Sequence, residues 1–439
     1  MIWLLVLILA FFFYFSGKKL WASIILFFFI TGGYQFVPAN AFYTAFGISK
    51  SLDFAIIFVV ITFVVDMRFN FRILQRDRFA KLIIFFLCFI LIAIVYSLLA
   101  YKHEPSSVLR ASRKFFLLLI YFNYRRLSKA EFDKVFIFLR YLTVLQSIVF
   151  LLQIPLGTSL LNTGTTEGAI TEFIGQSGTW TRYYNLPMFI MLFFFHGMFV
   201  DKSSGMRRWV VLTLFAATLL APLHRSLIFS LLAVLILVGI RARSWNKNFR
   251  NILAVLLLAG AFFPALILER VEQGIDDFGN VLESGLKNPK DNLSFRLAHA
   301  LERAKFTTTA PERVFFGSGF LTEDSKYTRL LNFLIAYRGS GGIVTQIDTS
   351  DISWSFLFLQ TGLLGTLLYV WLYFFATRMM WNNRHYAIGM MGTCFFLMIF
   401  FNSFTSAVFV DTVVFVSLPL LIVVLSHSLR DHKLNQRSN

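Results

Sequence analysis

Thirteen apolar runs, near 2–15, 20–36, 52–65, 79–101, 112–124, 136–156, 184–200, 209–223, 226–240, 250–268, 352–377, 386–404 and 408–428, dominate this chain. A helix that crosses a bilayer needs about 20 predominantly apolar residues. Only helices and closed barrels satisfy every backbone polar group in lipid. Several runs are short, so the pattern predicts an all-α polytopic membrane protein with about 12–13 transmembrane helices. Composition agrees: 57% of residues are hydrophobic and 15% charged, against about 25% charged in soluble domains. The first run has no basic stretch ahead of it and no small-residue cleavage site, which predicts a retained helix over 2–15. Pro222 divides the runs 209–223 and 226–240, which form either two helices meeting at a tight turn or one broken element.

The formal net charge is +18, and its distribution sets a topology. Arg68, Arg72, Arg76, Arg78 and Lys81 crowd one short loop, and Arg125, Arg126, Lys129 and Lys134 another. Further groups are Arg207 with Arg208, Arg241 to Arg250, Arg378 with Arg384, and Arg430 to Arg437 in the tail 429–439. All of these can share the cytoplasmic side. The basic residues are thus accounted for by membrane topology, with no zinc-finger or RNA-binding signature and no expectation of a nucleic-acid partner. Cys88 and Cys394 lie inside apolar runs and read as small buried side chains.

The same topology places two longer loops outside, at 157–183 and 269–351, dividing the chain into helices over 1–268, a large loop, and helices over 352–428. Within the large loop, Leu293, Leu297, Ala300, Leu301 and Ala304 recur at three- and four-residue spacing, which predicts an amphipathic helix over 293–306. Gly317 and Gly319 in VFFGSGF lack the third glycine and the strand–turn–helix setting of a nucleotide fingerprint and predict a tight turn.

Ionisable groups at the membrane edge mark functional candidates. On the outer side these are Arg182 in TRYYNLPMF, Arg225 in LHRSLIFSLL and Arg296 in FRLAHAL. Asp348 and Asp351 precede the run 352–377, where each can cap a helix or act as a base. His224 is a secondary candidate for an acid or base, or a structural hydrogen bonder. Guanidinium groups grip phosphate oxygens in bidentate fashion. Arginines beside a carboxylate at this depth suit transfer of a sugar from a lipid pyrophosphate, with Arg182, Arg225 and Arg296 on the pyrophosphate. Arg225, Arg296 and Asp351 would carry catalysis. No metal cluster or cofactor motif is present in the pattern.

These stretches resemble the bacterial O-antigen polymerase and O-antigen ligase family. RYYNLP from Arg182, HRSLIFSLL around Arg225, FRLAHAL with Arg296, VFFGSGF and DISWSFLFLQTGLLG occur in the family's order. The resemblance implies a fold related to the class C glycosyltransferases, located in the bacterial inner membrane with its active site facing the periplasm. It implies extension of a surface polysaccharide from an undecaprenyl-pyrophosphate-linked oligosaccharide, without cofactor or metal, and a chain-length regulator as a partner. The chain departs from the family's His-Asn pair, carrying Asp351 and Ile352 there. Either Asp351 replaces the histidine as base or another residue does, and the departure favours a polymerase over a ligase that uses a core lipid. The rival from another class is a transporter or flippase for the same lipid-linked glycan. A transporter should show repeats and mid-membrane polar residues, and the sequence has no obvious repeat.

Overall fold

The computed structural model describes residues 2–43, 50–162, 170–173, 179–201, 206–241, 292–338, 344–347 and 352–438. The predicted run 250–268, the start of the large loop, Asp348 and Asp351 lie outside the described residues.

The described residues are predominantly helical. In chain order the helices are α1 (Ile2–Phe15), α2 (Lys19–Ile30), α3 (Ser51–Val65), α4 (Met67–Arg76), α5 (Arg78–Leu99), α6 (Pro105–Ser112), α7 (Ile120–Tyr124) and α8 (Lys129–Leu156). There follow α9 (Ile190–Phe199), α10 (Met206–Leu220), α11 (Arg225–Arg241), α12 (Asn292–Thr307), α13 (Pro311–Phe316), α14 (Ser353–Asn382), α15 (Ala387–Asn402) and α16 (Thr412–Ser438). Two short antiparallel hairpins join them, β1 (Ile170–Phe173) with β2 (Thr179–Arg182) and β3 (Tyr337–Arg338) with β4 (Val344–Thr345).

Four segments are long and apolar enough to cross a bilayer: Arg78–Leu99, Lys129–Leu156, Ser353–Asn382 and Thr412–Asp431. Six shorter apolar helices of 10–17 residues accompany them. On the long helices large apolar side chains face outward, including Phe85, Ile92 and Val95 of α5, Ile137, Leu145 and Leu152 of α8, and Leu367 and Trp371 of α14. Exposed apolar faces on helices of this length are lipid-facing surfaces. The chain is therefore a multi-pass helical membrane protein.

Local signals explain the boundaries. Asp77 begins α5 by accepting from the amides of Phe79 and Ala80 at 2.9 and 3.3 Å. Ser128 and Glu131 form a reciprocal capping box ahead of α8, and Gly157 ends that helix at φ +64°, where a β-carbon would be strained. The run predicted at 112–124 is a continuous helical passage: α6, a 3₁₀ stretch Arg113–Leu119, then α7. The longer rise per residue of the 3₁₀ stretch lets these 20 residues extend ~33 Å. At Pro222 the structure has two helices. Leu223 adopts φ +53° in the turn, α10 lies against α8 and α9, and α11 lies along α15.

The loops sort into two ends. At the basic end Tyr14 and Arg126 meet Asp66, Tyr121 meets Asp77, Arg125 donates to Ser426 at 3.0 Å and Lys129 pairs with Asp431 at 2.9 Å. At the loop end Tyr101 donates to the Gly317 carbonyl at 2.8 Å, and His103 Nε2 lies 2.7 Å from the Ser318 carbonyl. There too Ser107 meets Thr322 at 2.8 Å and Arg110 pairs with Asp324 at 2.7 Å. The 22 residues of α5 separate the two sets by ~33 Å.

The expected amphipathic helix is present as α12, but its buried face differs from the predicted one. Leu301 is 53% exposed, while Ser294, Ala298, His299, Arg303 and Thr307 are buried. The neighbouring segments offer acceptors that an apolar stripe could not use: Arg303 donates to the carbonyls of Ile335 at 2.6 Å and Gln346 at 2.8 Å. Its guanidinium also lies 4.0 Å from the centroid of the Phe333 ring.

Candidate functional site

The start of α14 organises the loop end. Ser353 receives the Phe409 amide at 3.1 Å and donates to the Ser406 carbonyl at 2.8 Å, while the Trp354 indole donates to Ser403 at 3.1 Å. These bonds clamp α14 to the connection 403–411. Arg296 of α12 joins the same connection by donating from Nη1 to the Thr405 carbonyl. One turn along α12, His299 Nδ1 lies 2.8 Å from Ser355 Oγ. Its Nε2 is buried and has no hydrogen-bond partner. Burial, and then the charge of Arg303, push His299 down to about 3, so the ring is a neutral imidazole near pH 7.

On the other side of that turn, Lys114 Nζ sits 3.8 Å from the centroid of Phe356. Lys114 interacts electrostatically with Asp411 and with Lys50. Asp411 is solvent-exposed and accepts from the Thr412 amide at 2.5 Å. Arg113 pairs with Asp53, which also receives the Lys50 amide at 3.3 Å. Burial lowers Lys50, and the charge of Arg113 adds to that. The 3₁₀ stretch, the start of α3 and the connection 403–411 thus carry a charged group of three cations and two carboxylates.

The Gly317–Ser318–Gly319 turn docks beneath this group. The Ser318 amide donates to the Leu359 carbonyl at 2.7 Å, and the Phe320 amide to Ser97 Oγ at 3.0 Å. Gln360 clasps Leu321 through both its amide and carbonyl, at 2.9 and 2.6 Å. Phe316 stacks on Tyr96 and Phe89 of α5, at ring centroids 4.4 and 6.0 Å apart. This turn was the one predicted from the two glycines. Carboxylates tie down further described segments of the loop. Glu323 accepts the amides of Gln346 and Ile347, both at 2.7 Å, and Glu302 those of Leu334 and Ile335, at 2.8 and 3.0 Å.

The sequence candidates are distributed as follows. Arg296 is half-buried on α12, bound to the connection 403–411. Arg225 is the first residue of α11. The preceding turn packs Ala221 against Phe150, Leu161 and Tyr183 at the far end of α8, so Arg225 and Arg296 stand at the same end. His224 lies 4.9 Å from the Tyr184 ring, centroid to centroid. Arg182 closes β2 opposite Ile170. Asp348 and Asp351 lie outside the described residues, in the segment leading to Ile352. Sequence reasoning missed Lys114, Asp411 and His299. The signal for Asp411 was available, since it is a lone charge within a long apolar run, whereas Lys114 follows Arg113 at the start of one.

Chemically, guanidinium and ammonium groups gathered at one end of a low-dielectric bundle favour an anionic ligand. The nearby carboxylates offer proton acceptors. Among the described residues no group of three or more His, Cys, Asp or Glu side chains could hold a metal ion. The sequence matches no protein-family model, and no curated protein is significantly similar to it.

Proposed function

We propose that this protein is a surface-polysaccharide repeat-unit polymerase of the bacterial inner membrane, with the loop end facing the periplasm. It would transfer a glycan from undecaprenyl pyrophosphate to a second lipid-linked glycan. The observation that carries this reading is the anchoring of Arg296 to the Thr405 carbonyl, beside the start of α14, at the end where α11 begins with Arg225. Guanidinium groups at the membrane edge suit a pyrophosphate whose lipid tail lies in the bilayer.

In the transfer, an acceptor hydroxyl oxygen attacks the anomeric carbon of the donor sugar. The bond from that carbon to the pyrophosphate oxygen breaks, and its electron pair leaves with undecaprenyl pyrophosphate. Arg225 and Arg296, with Arg182 from β2, stabilise the charge that grows on the leaving group more in the transition state than before it. A carboxylate takes the hydroxyl proton. Asp351 is the candidate from the sequence, and Asp411 is a second one beside Lys114. A single in-line displacement inverts the anomeric centre.

The test is reconstitution of the purified protein with its host's undecaprenyl-pyrophosphate repeat unit, following glycan length and lipid release. A ladder of longer products that disappears in Arg225→Ala supports the reading. Transfer only onto a core lipid or a protein would make it a ligase. Movement of the intact lipid-linked glycan across sealed vesicles without extension would make it a transporter.

A further inference from the structure

Two adjoining cavities, about 430 and 610 Å³, open at the basic end, far from the site described above. Both are bordered by Phe69, Ile73, Arg125 and Arg430. The larger one adds Arg72, Arg76 and Arg78 from α4 and the start of α5, and apolar walls from Phe375 and Met379 of α14. The carboxylates on the rims already have partners other than these arginines. Asp77 holds the Tyr121 hydroxyl and caps α5, and Asp431 pairs with Lys129. Among the described residues Arg72, Arg76, Arg78 and Arg430 have no carboxylate within ion-pair distance.

A second observation points the same way. Arg125 reaches Ser426 through Nη1, but its Nε is buried without a hydrogen-bond partner, as is Nε2 of His427 on the wall of the smaller cavity. The buried Arg125 Nε–H calls for an acceptor. Five arginines around cavities with partly apolar walls match a phosphate group attached to a greasy body. The setting selects the source of that phosphate. On α4, Arg68, Arg72 and Arg76 recur every fourth residue, while Met67 and Phe71 are 60% and 59% exposed. Such a helix lies in the plane of a membrane interface, so the cavities border the bilayer edge.

We infer that the basic end holds a binding site for the phosphate headgroup of an anionic phospholipid, gripped by Arg72, Arg76, Arg78, Arg125 and Arg430. Basic pockets between membrane helices recognise lipid headgroups in this way. The site is independent of the proposed glycan chemistry.

Native mass spectrometry of the full chain in detergent, titrated with phosphatidylglycerol or phosphatidylcholine, tests this. Arg72 and Arg430 are exposed, so Arg72→Gln/Arg430→Gln should fold. Each lost arginine should weaken phosphatidylglycerol binding roughly five-fold. Arg384 is also exposed at the basic end, over the Trp381 ring and outside the cavities, so Arg384→Gln should change binding by less than about two-fold. Equal weakening by Arg384→Gln would reduce the effect to general surface charge and overturn the site. Unchanged phosphatidylglycerol binding in the double variant, or equal binding of phosphatidylcholine, would overturn it as well. Displacement of the lipid by an equal concentration of glycerol phosphate would identify a soluble anion as the ligand and sink the lipid assignment.

Discussion

Gly317 and Gly362 lie back to back: a β-carbon on Gly362 would stand 2.7 Å from the Gly317 nitrogen and 2.6 Å from the Val314 carbonyl oxygen. Both have left-handed backbones, φ +63° and +66°. Gly362 interrupts α14 there with non-helical torsions, and the gap admits the Gly317–Ser318–Gly319 turn. A break in a spanning helix thus becomes the seat on which the large loop docks.

Gly362→Ala should therefore unseat the loop. The backbone conformation alone costs about 1–3 kcal/mol for a residue with a side chain. The close contacts are with backbone atoms that cannot rotate away, adding about 1–3 kcal/mol. Thermal unfolding in detergent should begin at a lower temperature, and protease should cut within 317–338 faster than in the parent. Unaltered melting and cleavage would mean that the loop does not depend on this contact.

Arg296 and Arg303 share a helix but should separate in their effects. Arg303 is fully buried, with two backbone carbonyls, Glu302 and the Phe333 ring around it. Arg303→Met strands those acceptors, and loss of a buried charged donor costs about 3–5 kcal/mol, so it should lower stability sharply. Arg296→Lys keeps the charge but loses the planar fork. It should retain a near-parental melt while glycan extension falls by about two orders of magnitude. Loss of folding in Arg296→Lys would show a mainly structural role.

The ends of the helices were legible in the sequence because physics leaves little choice there. Arg125, Arg126 and Lys129 cannot sit in lipid, and in the structure they meet Ser426, Asp66 and Asp431 from helices whose ends were predicted to share their side. The 3₁₀ passage at Arg113–Leu119 was not legible, since two cations followed by five apolar residues do not distinguish a period of 3.0 from 3.6. The buried face of α12 was misread for another reason. Its leucines have the right spacing, but the partner surface offers carbonyls and a serine, and those select His299 and Arg303. Lys114 and Asp411 are far apart in sequence, so their interaction appears only after α16, which starts beside Asp411, packs along the 3₁₀ stretch.

The large loop should weaken in acid. His299 is held near 3 by burial and then by Arg303, and burial also lowers His103. An unfolded histidine titrates near 6.5. Between these values the unfolded chain binds the extra proton, so stability is full above about pH 6.5 and falls as pH drops toward 3. Each such histidine contributes a slope of at most about 1.4 kcal/mol per pH unit. Hydrogen exchange of 292–338, followed from pH 7 to pH 5, should show progressive loss of protection. His299→Gln should flatten the profile, and an unchanged slope in that variant would remove His299 from the account.

Lys114 and Asp411 allow structural and chemical roles to be divided. Asp411→Asn removes a carboxylate within electrostatic reach of an ammonium that otherwise rests on Phe356. Lys114→Met removes the ammonium and keeps the apolar contact. If the two groups only balance each other, each single variant should lose no more than about 1 kcal/mol, because Asp411 is solvent-exposed, and the double variant should recover part of that loss. Stability can be restored this way, but proton transfer cannot. With Asp411 as the base, Lys114→Met/Asp411→Asn should melt closer to the parent than Asp411→Asn does, yet extend no glycan. Recovery of extension together with stability would exclude Asp411 as the base and leave that role to Asp351. The comparison needs the melts and the extension assay on the same preparations, so that lost activity in a folded double variant is not mistaken for lost protein.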